Sequence, residues 1–159
     1  MKKIYSEQEI IDMTIKLLEQ TSIYEEQYEQ YVRRPFRTDF YDDLSPYVQV
    51  GKRGYTLQMY ERGIQMLNKL TKDVEDVIYW IIEDTIHIIA HLNLLRKYKV
   101  DNINTHLKYT KEIMKELTTV MNKAFYEIGG IYQEWHEANR RGELENPLNI
   151  KLKETVDNQ

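Results

Sequence analysis

Residues 47–70, YVQVGKRGYTLQMYERGIQMLNKL, alternate between apolar and polar side chains. Three short runs rich in Tyr, Val and Ile are separated by the glycine-containing segments 51–54 and 61–63. Because such runs and turns are typical of β-hairpins, they predict a three-stranded antiparallel meander. Three strands with one apolar face are not stable alone in water, so helices must pack against them.

The residues after these strands predict one long helix. It begins at Thr71 or Asp73 and runs to residue 97 or 98. Its apolar residues recur at helical spacing along one broad stripe: Val74, Val77, Ile78, Ile81, Thr85, Ile88, Ile89, Leu92 and Leu95. Trp80 and Ile86 lie off that stripe, so the helix is apolar almost all round and should be the central element of the fold.

The segment before the strands predicts two further helices. Ser6 and Glu9 have the spacing of a capping box, which places a helix at about 7–20. Three tyrosines at helical spacing follow it and predict a second, short helix before Pro35.

The segment after the central helix also has helical periodicity. It predicts a helix that begins at Asp101 or Asn102 and continues through Met121. A break is expected at residues 129–130, which are both glycine, and a last helix at about 131–141.

Length and composition indicate one globular domain, since 159 residues with 42% hydrophobic and 30% charged side chains can bury a sizeable core. We expect residues 1–148 to form a single α+β domain, mostly helical, with the small meander packed on the long central helix. A polar tail should follow at 149–159. No window approaches ~18 uninterrupted apolar residues, so neither a membrane span nor a signal peptide is predicted, and we expect a cytoplasmic protein.

Several classes of function are disfavoured by the composition. The chain has no Cys, which excludes thiol catalysis and thiolate metal sites. Its net charge of −4 argues against a nucleic acid partner, and the arginine pairs at 33–34 and 140–141 are expected to be solvated surface. No nucleophile elbow or phosphate-binding glycine loop is present, so no cofactor is predicted.

A metal site on the central helix is one alternative. Glu83, His87 and His91 are spaced four apart and therefore line up on one side of the helix, where they could share Zn or Fe. Neither the metalloprotease nor the di-iron spacing is complete. The competing interpretation is a half-polar packing face formed by Trp80, His87, His91 and Tyr98.

A partner-binding surface is the other hypothesis. Residues 24–43 hold six acids against three bases, interleaved with aromatic side chains. Aromatic anchors in an acidic field fit a surface that binds a basic protein, although the same aromatics could instead be core with a solvated acidic edge. The candidate contacts, with two strand turns added, are Tyr24, Tyr28, Tyr31, Asp39, Phe40, Tyr41, Asp42, Asp43, Arg53 and Glu61.

Three short motifs resemble a known bacterial family. They are Arg-Gly-Tyr at 53–55, Glu-Arg-Gly at 61–63, and Tyr-Trp-Ile at 79–81 followed by Glu83. On these the chain resembles immunity protein family 63 of polymorphic toxin systems. The similarity covers roughly residues 1–148 and departs from the family pattern after the central helix.

The resemblance implies a function that the composition alone does not. It implies a non-enzymatic, cytoplasmic inhibitor that neutralises a cognate toxin domain by direct binding. The alternatives are a helical metal-binding domain or metal-dependent enzyme, and an adaptor with no toxin partner.

Overall fold

A computed structural model describes residues 2–39 and 41–145 and contains the predicted meander. Strand β1 spans Tyr47–Gly51, β2 spans Gly54–Glu61 and β3 spans Ile64–Thr71. The order in the sheet is β1-β2-β3, and both pairings are antiparallel. The alternating apolar and polar residues of 47–70 therefore form the three predicted strands.

Helices make up most of the remaining described chain. They are α1 (Glu7–Leu18), α2 (Glu29–Arg33), α3 (Val74–Lys97), α4 (Lys111–Ile128), α5 (Gly130–Glu137) and α6 (Arg140–Glu145). Short 3₁₀ turns at Glu26–Tyr28 and Arg34–Phe36 flank α2. The prediction of a mostly helical α+β fold is confirmed. Among the described residues, no helix is long and apolar enough to cross a membrane.

Helix α3 is the centre of the core, as predicted. It contacts α1, α2, α4, α6, β2 and β3. Ile81 and Ile89 on the main stripe are fully buried, and so are Trp80 and Ile86 on the other side of the helix. Burial of apolar side chains all round its axis makes α3 the element on which the others pack.

The start of α1 also follows the sequence. The hydroxyl of Ser6 accepts a hydrogen bond from the Glu9 N–H, and the Ser6 N–H donates to the Glu9 carboxylate, each at 3.1 Å. This reciprocal pair satisfies two backbone donors that a helix leaves free at its first turn.

The predicted helix start at Asp101 or Asn102 is wrong. Residues 101–110 form a loop, and α4 begins at Lys111, where the hydroxyl of Thr110 caps the Ile113 N–H. The Asp101 carboxylate instead accepts three consecutive backbone N–H groups, beginning with that of Ile103, and these bonds lower the pKa of Asp101 to about 2.

The last predicted helix, 131–141, is divided in two. Asn139 has a φ of +56°, a left-handed conformation that ends α5 and cannot continue a helix. Helix α6 then runs past Gly142 to Glu145. The break predicted between α4 and α5 is present, since Gly129 has a φ of +69°. The predicted tail at 149–159 lies outside the described residues.

The arginine pairs are not simply solvated surface, which corrects the sequence prediction. Arg34 and Arg141 approach the carboxylate of Asp84 from two sides, at 3.3 and 4.0 Å. Arg140 pairs with Asp76 at 3.1 Å. Burial nevertheless raises the pKa of Asp84. These half-buried ion pairs tie α6 and the segment after α2 to the central helix.

Candidate partner-binding surface

A cluster of three tyrosines covers one end of the sheet. Tyr41 stacks on Tyr60 with ring centroids 4.2 Å apart, and it meets Tyr47 edge to face at 4.7 Å. Tyr47 lies opposite Gln58 in the ladder, on the side of the sheet that alternates with the core-facing Val48. The segment after residue 40 therefore packs on the face of the sheet that points away from α3.

Two backbone hydrogen bonds fix this segment to the sheet. The N–H of Asp42 donates to the Tyr47 hydroxyl at 2.6 Å. The N–H of Leu44 donates to the Tyr60 carbonyl at 2.7 Å and so continues the pairing along β2 beyond the end of β1. Because the Tyr41 ring and the backbone N–H groups of Asp42 and Leu44 are all held by the sheet, residues 41–44 are ordered before any partner binds.

Three predicted acidic residues lie close together as a result. The Asp43 carboxylate accepts the N–H of Arg62, in the turn between β2 and β3, at 2.8 Å. Glu61, the last residue of β2, precedes Arg62 and is exposed, and Asp42, which precedes Asp43 in the chain, is half-buried. We call Asp42, Asp43 and Glu61 the acidic turn.

Exposed apolar side chains lie along β3, from Ile64 opposite Glu61 to Leu70 near the other end of the strand, and sequence reasoning did not identify them. Along β3, Ile64 is 66% exposed, Met66 49% and Leu70 61%; we call these three the β3 row. Leu44 is 51% exposed and has a φ of +58°. The only sequence signal was the alternation of 64–70, which does not reveal the bulge that places Ile64, opposite Glu61, and Leu70, opposite Thr56, on different faces of the sheet.

The helical tyrosines of the predicted site lie elsewhere. Tyr28 is only 4% exposed, and its hydroxyl lies 3.4 Å from the guanidinium of Arg96 on α3. Tyr31 is half-buried beneath the Arg34 guanidinium, 5.7 Å from the ring centroid. Tyr24 packs against the core with part of its ring exposed. For Tyr28 the structure favours the core interpretation that the sequence had left open.

The remaining predicted contacts are dispersed. Asp39 is exposed and paired with Arg37, whose hydrogen bond holds the pKa of Asp39 below its usual range. Arg53 is exposed in the β1–β2 turn, at the opposite end of β2 from Glu61, and β2 itself is roughly 23 Å long at ~3.3 Å per residue. Phe40 lies outside the described residues.

The structure separates the three residues of the metal-site alternative. Glu83 is buried, and its two carboxylate oxygens lie 3.0 and 3.1 Å from Nδ1 of His136 on α5. The His136 ring stacks on Phe125 with centroids 4.0 Å apart. His87 is exposed, and its helical neighbour His91 is turned to other partners.

His91 stacks on Tyr109 and is hydrogen-bonded to its hydroxyl, while burial lowers the pKa of His91. Within residues 2–39 and 41–145, no three His, Asp or Glu side chains are grouped to hold a metal ion. The half-polar packing face is also wrong as a continuous surface, because Trp80 is fully buried whereas His87 and Tyr98 are exposed.

Comparison with protein families gives one match. The family described as Immunity protein 63 matches residues 51–145, from the end of β1 to the end of α6. The matched part contains Glu61 and Arg53, whereas residues 24–43 precede it. No curated protein and no solved structure matches the chain.

Proposed function

The chain belongs to the immunity protein 63 family, and on that premise we propose that it is a non-enzymatic inhibitor that binds and neutralises a cognate bacterial toxin domain in the cytoplasm. The family supplies the general role of an immunity protein. The observation that supports direct binding is the acidic turn, which is held in place by the tyrosine cluster and two backbone hydrogen bonds.

The proposed contact surface is centred on Tyr41 and the acidic turn. Exposed carboxylates steer a basic partner towards the surface, and a rigid aromatic ring supplies contact area at low entropic cost. An interface of ~800 Å² per partner extends beyond these residues, and Asp39, two residues before Tyr41 in the chain, falls within its reach. Arg53, at the opposite end of β2 from Glu61, lies outside a surface centred on the acidic turn, and Tyr24 and Tyr31 stay candidates from the sequence alone. Tyr28 is buried beside Arg96 and is not part of the proposed contact surface.

The non-enzymatic part of the proposal is supported by the internal pairing of the polar residues near the core. The Glu83 carboxylate is engaged by His136, and Nε2 of His136 lies 2.8 Å from the side-chain oxygen of Asn122. Groups held in this way connect α3, α4 and α5 and contribute to folding. Inhibition by binding requires a complementary surface and no reactive group.

The direct test is co-expression with the product of the adjacent gene, which the proposal predicts to carry the toxin domain. We expect the wild-type protein to restore growth and to co-purify with that domain. The triple variant Asp39→Lys, Asp42→Lys and Asp43→Lys should associate at least tenfold more slowly, with a weaker dependence on salt. Tyr41→Ala should mainly speed dissociation.

A matched control reverses exposed acids far from this surface. Glu112→Lys and Glu134→Lys, on α4 and α5, change the net charge by +4, against +6 for the triple variant, and should leave the association rate nearly unchanged. If the wild-type protein neither restores growth nor co-purifies, the inhibitor function is wrong. If the triple variant and the control behave alike over a range of salt, the function stands and the position of the surface is wrong.

A further inference from the structure

A small surface cavity lies between residues 27–31, at the start of α2, and the C-terminal half of α3. Its volume is about 280 Å³, and it is lined by Gln27, Tyr28, Gln30, Tyr31, Leu92 and Arg96. The two residues from α3 are four apart, so they lie on one face of that helix. Because typical ligand pockets have volumes of ~300–1,000 Å³, this cavity suits a small chemical group rather than a large molecule.

Arg96 brings a positive charge to the cavity without a carboxylate partner. The other arginines of the helical segments each pair with a carboxylate: Arg33, Arg34, Arg140 and Arg141. Among the described residues, the guanidinium of Arg96 contacts the Tyr28 hydroxyl at 3.4 Å, which is long for a hydrogen bond. A guanidinium has five N–H donors in a planar fork, so Arg96 retains donors for a ligand.

Tyr28 adds a buried donor at the same wall of the cavity. Its side chain is only 4% exposed, and its hydroxyl oxygen faces the guanidinium of Arg96. A phenol can accept and donate at the same time, and the O–H of Tyr28 has no acceptor in the part of the chain that the structure describes. Since buried polar groups are normally hydrogen-bonded, an unused O–H beside an unpaired guanidinium is typical of a site for an oxygen acceptor.

We propose that this cavity binds a carboxylate group, held by the Arg96 guanidinium and the Tyr28 hydroxyl. The planar fork of an arginine donates two parallel N–H bonds to a carboxylate, and the remaining lone pairs of the carboxylate accept the tyrosine O–H. Leu92 and Tyr31 supply apolar surface for the carbon atoms next to the carboxylate. This site is an addition to the inhibitor function, since binding of a free acid there requires no toxin.

The charge around the cavity favours a carboxylate over a phosphate. Glu25 and Glu26 are exposed just before the segment that forms one wall, and neither is in an ion pair within the described residues. Glu29 is paired with Arg33. A phosphate with nearly two negative charges is repelled by these acids more strongly than a carboxylate with one.

Two sources supply this chemistry, a small organic acid and an acidic side chain of a partner protein. The first test is a titration of the full chain with acetate and with butyrate at pH 7 and constant ionic strength, followed by amide NMR spectra. We expect saturable shifts confined to residues 27–31 and 92–96. Butyrate should bind more tightly than acetate, because its carbon chain contacts Leu92 and Tyr31.

Two variants and a matched control identify the donors. Arg96→Gln and Tyr28→Phe should each weaken butyrate binding at least tenfold. The control Arg53→Gln removes the same charge from an exposed arginine in the β1–β2 turn and should change the affinity less than twofold. Tyr28→Phe keeps the buried ring, so a melting curve like that of the wild type separates loss of the donor from loss of the fold.

Chloride and phosphate are the ion controls. Equal shifts with chloride at the same ionic strength would show that the acids act only by screening. Tighter binding of phosphate than of butyrate would show an anion site of another class. Either result overturns the proposal.

If neither acid binds, the product of the adjacent gene decides between the sources. Its affinity should then fall at least tenfold in both Arg96→Gln and Tyr28→Phe and stay within twofold in Arg53→Gln, which would assign the carboxylate to that protein. Wild-type affinity in both variants, with no acid bound, would overturn the carboxylate site and leave the inhibitor function intact. If the wild-type chain does not bind that product at all, the inhibitor function fails, and the acid titration alone decides the carboxylate site.

Discussion

Ile81→Ala tests whether α3 is the centre of the core. Ile81 is 0% exposed, and the substitution removes three carbon atoms from a position without access to water. At ~0.8 kcal/mol per buried methylene, the loss of transfer free energy is about 2.4 kcal/mol. The residual cavity adds roughly 1–2 kcal/mol if about half or more of the vacated volume stays empty. We therefore expect the free energy of unfolding to fall by about 3–4 kcal/mol.

The measurement is equilibrium unfolding in urea, followed by far-UV circular dichroism and extrapolated linearly to water. Ile103→Ala is the matched control, because it removes the same atoms from a side chain that is 79% exposed in the loop before α4. That control should change the free energy of unfolding by less than about 0.5 kcal/mol. A loss below roughly 1 kcal/mol in Ile81→Ala would contradict the central position of α3.

Two further predictions concern pH and metal. Burial, with Glu75 and Asp76 nearby, raises the pKa of Tyr132 to about 12, against ~10 in an unfolded chain. The stability contributed by the neutral Tyr132 ring is therefore complete below pH 10 and is lost as the pH rises to 12. In an alkaline titration followed by circular dichroism, Tyr132→Phe should unfold at higher pH than the wild type, and the exposed-ring control Tyr126→Phe should not. Dialysis against a chelator should leave the melting temperature unchanged, because Glu83 is bonded to His136 on α5 and is separated from His87 and His91. A large drop in melting temperature, with Zn or Fe found by elemental analysis, would support the metal site instead.

The elements that local sequence determines were predicted correctly. The strands follow from alternation and glycine-containing turns, and α3 follows from a helical apolar period of more than twenty residues. The predicted start of α4 was wrong because the carboxylate of Asp101 can accept backbone N–H groups in two local structures. It can cap the first turn of a helix, or it can hold a tight loop. Which of the two forms is decided by packing beyond the local sequence.

The candidate surface was predicted only in part because its contacts join residues far apart in the chain. Tyr41 and Tyr60 are brought together by the path of the segment over the sheet, which periodicity does not encode. For the same reason, Glu83 was grouped with His87 and His91, its neighbours at helical spacing. Its actual partner, His136, is 53 residues away. Sequence spacing identifies neighbours within one helix and not between helices.

The central position of α3 also sets the moment at which a growing chain can fold. Helix α1, helix α2 and strand β2 all pack on α3, which the ribosome makes after them. At 5–20 residues per second, synthesis of residues 1–97 takes roughly 5–20 s. Until then the meander lacks the helix that shields its apolar face, so the nascent polypeptide depends on the ribosome or on chaperones to prevent association. A chain released before α3 is complete has no core to form.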